Sequence, residues 1–196
     1  PAPAPGPDLL PPLHPQNATI TFADCTTDAL AVLGLPTPTD RELTVECGEL
    51  PVPVDPARTE LGSALLGVVR AGTGGVPSEK PPLLALGDSV DEPTVAHAVR
   101  LATRVSPALL EQYTVIGMDR RGSGVDRLDC APPDARAALV AADPAGTSED
   151  DLAALLDRAA AIVQSCNLAL ASGLSGFGNA AAAVDVEVLR SRLGVP

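Results

Sequence analysis

Between residues 83 and 118 the sequence sets two short apolar runs, Leu83–Leu86 and Tyr113–Met118, on either side of a segment with helical periodicity. Runs of this length without polar alternation suit strands buried on both faces, and they predict a central place for Leu83–Leu86. Within Glu92–Leu110, Val95, Val99, Ala102 and Val105 recur at three- and four-residue steps, Pro93 suits a first helical turn, and Pro107 should end or kink the helix. Strand, helix, strand in this order predicts a parallel crossover and therefore an α/β fold. Upstream, Ala18–Phe22 and Leu43–Leu50 alternate or run β-rich, Leu61–Arg70 does so less cleanly, and Pro51–Pro56 reads as a turn. These segments predict antiparallel strands that open the sheet.

Downstream, Ala131–Thr147 contains Pro132, Pro133 and Pro144 and is expected to be a loop. Ser148, followed by Glu149, Asp150 and Asp151, has the capping side chain and the negative charge that a helix start favours. The apolar face of that helix should carry Leu152, Leu155, Leu156, Ala159, Ile162 or Val163, and Cys166. A Gly-rich break at Ser172–Gly178 leads to a last helix with Asn179 as its cap and Val184, Val188 and Leu189 inward, stopping at Gly194.

Charge narrows the function classes. With 13 Lys+Arg against 25 Asp+Glu the net charge is −12, whereas a nucleic-acid binder must cluster basic residues to neutralise phosphates. At 45% apolar residues the chain should fold, and no stretch approaches the 18 uninterrupted apolar residues of a bilayer span. Pro1–Pro15 is dominated by Pro and favours extended polyproline conformation, so residues 1–17 are expected to form a tether, which in an exported chain could join the domain to a membrane. No basic and apolar leader precedes it, so an exported chain would already have lost its signal.

Cys25, Cys47, Cys130 and Cys166 fall in two separated pairs with no CxxC, and only two His accompany them, so neither a metal nor any other cofactor is expected. Of the three possible connectivities, Cys25 with Cys47 and Cys130 with Cys166 is favoured; each bridge would close a loop of about 20 to 40 residues and contribute roughly 3 to 4 kcal/mol. Four reduced thiols in a cytosolic protein is the competing reading.

Gly87-Asp88-Ser89-Val90, directly after an apolar strand, is the sharpest local signal for chemistry. Taken alone it is similar to the first block of GDSL-type esterases, in which the Ser is the nucleophile. A Ser needs a base, and neither His14 nor His97 has an Asp three residues before it, so Ser89 is not assigned as a nucleophile. Asp119-Arg120-Arg121-Gly122-Ser123-Gly124 reads as a tight turn needing Gly for positive φ and braced by an Arg–carboxylate pair; a charged active-site rim is the other reading. Gly173, Gly176 and Gly178 follow no strand and there is no Walker A loop, so no nucleotide cradle is predicted. Asn17-Ala18-Thr19 is a glycosylation sequon by pattern.

In chain order, Ile20–Cys25, Cys47–Asp55, the strand to Arg70, Tyr113–Gly124 and Leu128–Cys130 resemble the secreted actinobacterial tripeptidyl-aminopeptidase-like α/β-hydrolases related to proline iminopeptidases. Residues 179–196 look like the helix those proteins place before the nucleophile strand. The resemblance implies an exported serine hydrolase of peptides or esters whose disulfides match the favoured pairing. In that family the Ser sits in a G-x-S-x-G elbow and is followed by Asp and His. None of the three is found here, so no catalytic residue is assigned to this chain. Residues 18–196 are then expected to be the N-terminal portion of one α/β-hydrolase domain, antiparallel first strands leading into a parallel sheet with flanking helices. The partner implied is the remaining C-terminal part of the hydrolase, together with a peptide or ester substrate; half a sheet alone should be unstable. The family's Gly-Gly-Pro-Gly oxyanion loop corresponds here to Gly87, Asp88 and Ser89, and Asp88 would oppose stabilisation of developing negative charge. A non-catalytic hydrolase-fold binding protein of the cell envelope is the alternative.

Overall fold

The computed structural model describes residues 19–74, 80–87, 92–146 and 148–195. Five strands, β1 (Ala23–Asp24), β2 (Leu43–Pro53), β3 (Ser63–Thr73), β4 (Pro82–Ala85) and β5 (Thr114–Met118), form one mixed sheet in the order β1-β2-β3-β5-β4. β1, β2, β3 and β5 pair antiparallel in succession, and β4 joins β5 in parallel. The parallel step is bridged by α2 (Thr94–Arg104) and α3 (Pro107–Gln112). The remaining helices are α1 (Thr26–Val32), α4 (Pro133–Val140), α5 (Glu149–Leu170) and α6 (Asn179–Arg192).

Strand alternation sends the core to both faces of the sheet. On one face Leu43, Val45, Val69, Ala71, Ala85 and Val115 pack with Ala98, Val99 and Ala102 of α2, Leu110 of α3 and Leu30 of α1. On the other face Leu50, Val52, Leu66, Val68, Ile116 and Met118 pack with Leu189 of α6. The layers are thus helix, sheet, helix, as two apolar sheet faces require. All of β5 is buried, and Gly117 lets α2 approach it: a Cβ there would lie 2.5 Å from Ala98 Cβ.

The two bridges are Cys25–Cys47, with a sequence separation of 22, and Cys130–Cys166, with a separation of 36. The first ties the start of α1 to β2 beside the buried cluster that includes Val45. Disulfides are compatible with an extracellular location.

Proline accounts for most differences from the sequence expectations. Pro51 and Pro53 belong to β2 and not to a turn. Val54 donates its N–H to Gly62 at 3.0 Å, so residues in step with it face β3 while Pro51 and Pro53 turn their missing donors to the strand's open side. Pro107 begins α3 and Pro133 begins α4, where an unpaired N–H would be wasted in any case, so the expected loop at 131–147 contains a helix. The Ala18–Phe22 segment, as far as it is described, is extended without pairing. Ile20 and Phe22 pack on the second core face, and a Cβ on Gly48 would meet Ile20 and the Thr21 carbonyl at 2.8 and 2.9 Å. Alternating apolar residues suit a segment lying across a sheet as well as one within it. Leu83–Leu86, expected to be central, gives β4 at the edge of the described sheet, with Leu86 beyond the strand and 73% exposed. The 1–17 tether lies outside the described residues.

α5 starts as its sequence predicts: Ser148 accepts the Asp151 N–H while the Asp151 side chain accepts from the Ser148 backbone. Its apolar face, however, is not core. No α5 residue is buried, and Leu152, Leu156 and Val163 are 55%, 59% and 56% exposed. By length and composition Glu149–Phe177 could cross a bilayer, and only 6% of its most apolar window is buried, although Gln164, Ser165 and Asn167 interrupt it. The Cys130–Cys166 bridge therefore ties an otherwise exposed α5 to the segment that precedes α4. Replacing both cysteines by Ser should open cleavage sites between residues 131 and 170 in limited proteolysis while fragments containing β2 and β3 stay protected. Mass mapping of the digest checks this.

Candidate functional site

In open α/β sheets ligands bind outside the carboxyl ends of the parallel strands, which here are the ends of β4 and β5. β4 runs into Leu86 and Gly87, and a Cβ on Gly87 would come within 3.0 Å of His97 Cβ and 3.4 Å of Thr94 Cα. The absence of a side chain thus lets Gly87 rest on the first turn of α2. Asp88 and Ser89 lie outside the described residues. His97 is half-exposed at this rim; its Nδ1 is 4.0 Å from Glu92 Oε2, and Glu92 also pairs with Arg100 at 2.5 Å.

Asp119 directly follows β5 and is 2% exposed. Its Oδ1 accepts the Val95 N–H at 2.9 Å, and Thr94 gives a second backbone bond. The carboxylate of one strand therefore caps the helix that follows its neighbour, and the first amides of α2 serve Asp119 instead of an external anion. Burial pushes the Asp119 carboxyl above the usual aspartate range, and the Val95 and Thr94 amides oppose that shift. Gly67 and Gly124 make room for the side chain: a Cβ would stand 2.9 and 1.8 Å, respectively, from Asp119 Oδ2.

The turn after Asp119 uses Gly122 at φ 78° and Gly124 at φ 63°, backbone that a side chain would strain. Arg121 points inward from it. Its Nε and Nη2 form a bidentate pair with Asp185 of α6 at 2.6 and 2.5 Å. Nη1 donates to the carbonyls of Val54 and Gly176 at 3.0 and 2.6 Å, and Nη2 reaches that of Pro53 at 3.4 Å. Both charged side chains are 2% exposed, and burial pushes the Asp185 carboxyl up while Arg121 pulls it down. Outside this network Arg120 donates to Asn179 Oδ1 at 2.6 Å, holding the start of α6 near the turn. Asn179 is thus the first helical residue and not the cap, which is Gly178.

The expected Arg–carboxylate brace involves Arg121 and Asp185, with Asp119 engaged by α2. Asp185 was missed in the sequence because α6 was read from Val184, Val188 and Leu189 alone. An acid four residues before the inward Leu189, and therefore on the same helix face, was the available signal; Glu187 is not on that face. Cys25, Cys47, Cys130 and Cys166 are all engaged in the two disulfides. Among the described residues no three His, Cys, Asp or Glu side chains gather as a metal site would require. No known protein-family model matches the chain, and no curated protein matches it.

Breaking a buried pair from one side leaves an uncompensated charge, so Arg121→Met should cost about 3 to 5 kcal/mol in urea unfolding. It should cost more than Asp185→Asn, because losing the guanidinium also leaves three carbonyls without their donor. For Asp119, a folded-state pKa above the unfolded one means a stability contribution present at low pH and lost as pH rises through the folded value. The stability of the native chain minus that of Asp119→Asn should therefore fall as pH rises through the acid range and then level off. Urea melts at a series of pH values test this.

Proposed function

We propose that residues 18–196 form the early part of an exported serine hydrolase of the α/β-hydrolase type, acting on peptide bonds in an aminopeptidase-like way or on ester bonds. Its Ser, Asp and His would come from polypeptide outside residues 1–196. The observation that carries this reading is the side of β4 away from β5, which pairs with no strand among the described residues. An apolar groove of about 230 Å³ runs between that strand and α6, lined by Pro82, Leu84, Ile116, Leu189, Leu193 and Val195. A further parallel strand beside β4 would fill the groove, satisfy the strand's unpaired backbone groups and end next to Gly87. In α/β-hydrolases the nucleophile stands on a sharp turn at such a strand end, and one oxyanion donor comes from the neighbouring strand-to-helix loop. Here that loop joins β4 to α2 and begins at Gly87.

On this reading each part of the described structure has a task. α2, held by Asp119, supports the loop; Arg121 and Asp185 fix α6 along the groove where the added strand must lie; the disulfides brace the framework for an extracellular setting. One sequence feature favours the alternative of a non-catalytic binding protein of the cell envelope: Asp88, within the segment that corresponds to the oxyanion loop, would add negative charge to it.

Fluorophosphonate labelling separates the readings. Residues 1–196 should remain unlabelled, and the full-length secreted product of the gene should label at a Ser outside them. Labelling of Ser89 would overturn the assignment, and an unlabelled, folded full-length product would favour the binding protein.

A further inference from the structure

We propose that His97 is a positioning residue for the oxyanion side of the hydrolase site, acting through the contact of its imidazole root with Gly87. The assignment rests on the hydrolase reading. β4 ends at Ala85, and Gly87 lies two residues on, where the chain leaves the sheet on its way to α2. A Cβ on Gly87 would lie 3.0 Å from His97 Cβ, 3.2 Å from His97 Cγ and 3.4 Å from Thr94 Cα. These nearest atoms all belong to the first turn of α2, and two of the three are in the His97 side chain. An amide that stabilises an oxyanion must be held to within about 0.5 Å of its productive place. In α/β-hydrolases one such amide comes from the loop that begins here.

The backing of this contact runs into the core. Thr94 and Val95 give their amides to Asp119, directly after β5. Gly117 admits α2 so closely to β5 that a Cβ there would stand 2.5 Å from Ala98 Cβ and 3.0 Å from the Thr94 carbonyl oxygen. The first turn of α2 is thus pinned to β5, and His97 and Thr94 transmit its position to Gly87. On the solvent side Glu92 Oε1 accepts from Arg100 Nε at 2.5 Å, which ties the segment before α2 to the helix's second turn. Glu92 Oε2 lies 4.0 Å from His97 Nδ1, and the imidazole is 43% exposed at the rim. The ring therefore meets Gly87 through carbon atoms and turns Nδ1 toward a carboxylate. A steric role follows, which an aromatic ring without nitrogen can also perform. Displacing a reacting group by about 1 Å can cost about 10² in rate, so the loss of this support should be visible in turnover.

The test uses the full-length secreted product of the gene, with p-nitrophenyl acetate as the ester substrate and a fluorophosphonate probe for the nucleophile. His97→Ala introduces a strong helix former, so the variant should keep its circular dichroism and label at the same Ser to the same final extent. Its kcat should fall at least about tenfold while KM stays within about twofold, the pattern of support needed only in the transition state. His97→Phe restores a ring at the Gly87 contact and should bring kcat back to within about threefold of the native value. A native kcat in His97→Ala would overturn the proposal and leave the hydrolase reading standing. Equal losses in the Ala and Phe variants would also overturn it, because the imidazole nitrogens would then have a chemical role. So would a loss carried by KM, which would place the ring in substrate binding. A folded native product that neither labels nor turns over the ester would remove the hydrolase reading and this assignment with it.

Discussion

The guanidinium of Arg121 is the point at which separate parts of the chain meet. From one turn after β5 it binds the end of β2 through Pro53 and Val54, the 3-10 segment before α6 through Gly176, and α6 itself through Asp185. Arg121, Asp185, Val54 and Gly176 are buried, so their bonds must be made within the protein or left unmade at considerable cost. The close approach of Gly176 to the Val54 carbonyl, where a Cβ would sit 2.4 Å away, shows how tightly the segments converge. Only a planar cation with five donors can serve a carboxylate bidentately and several carbonyls at once, which a lysine could not.

Asp119 does the equivalent work on the other face of the sheet. It ends the same strand, turns toward α2 and satisfies the amides with which that helix begins. Two charged residues, separated only by Arg120, thus anchor helices on opposite faces of β5, and the turn that follows them uses Gly122 and Gly124 at positive φ. This end of the sheet is thus tied to both helix layers, while β4 and the apolar groove against α6 lie at the edge of the described sheet. The apolar groove beside edge strand β4 is the observation on which the proposed hydrolase reading rests.

Much of the fold was legible. Periodicity over Leu43–Leu50, Val95–Ala102 and Tyr113–Met118 identified elements because their residues face the core with the spacing of strand or helix. Ser148 and Asp151 identified the start of α5 because capping is a local interaction. The prolines were harder: Pro51, Pro107 and Pro133 mark the inside of a strand and the starts of two helices, and which role applies depends on whether a neighbour would have used the missing N–H. Of the candidate site, Gly87, Asp119 and Arg121 could be named from the turn chemistry, but their partners lie at separations that no local pattern encodes. Asp185 is 64 residues from Arg121.

The sequence by itself determined the α/β class, the antiparallel opening of the sheet and the parallel step, because those follow from short-range periodicity and steric preference. Tertiary structure alone decided that β4 lies at an edge, that Asp119 serves α2 while Arg121 serves Asp185, and that the apolar face of α5 is left uncovered. The reason is the range of the forces: backbone propensity acts over a few residues, whereas burial, desolvation and charge pairing depend on what the whole chain brings alongside.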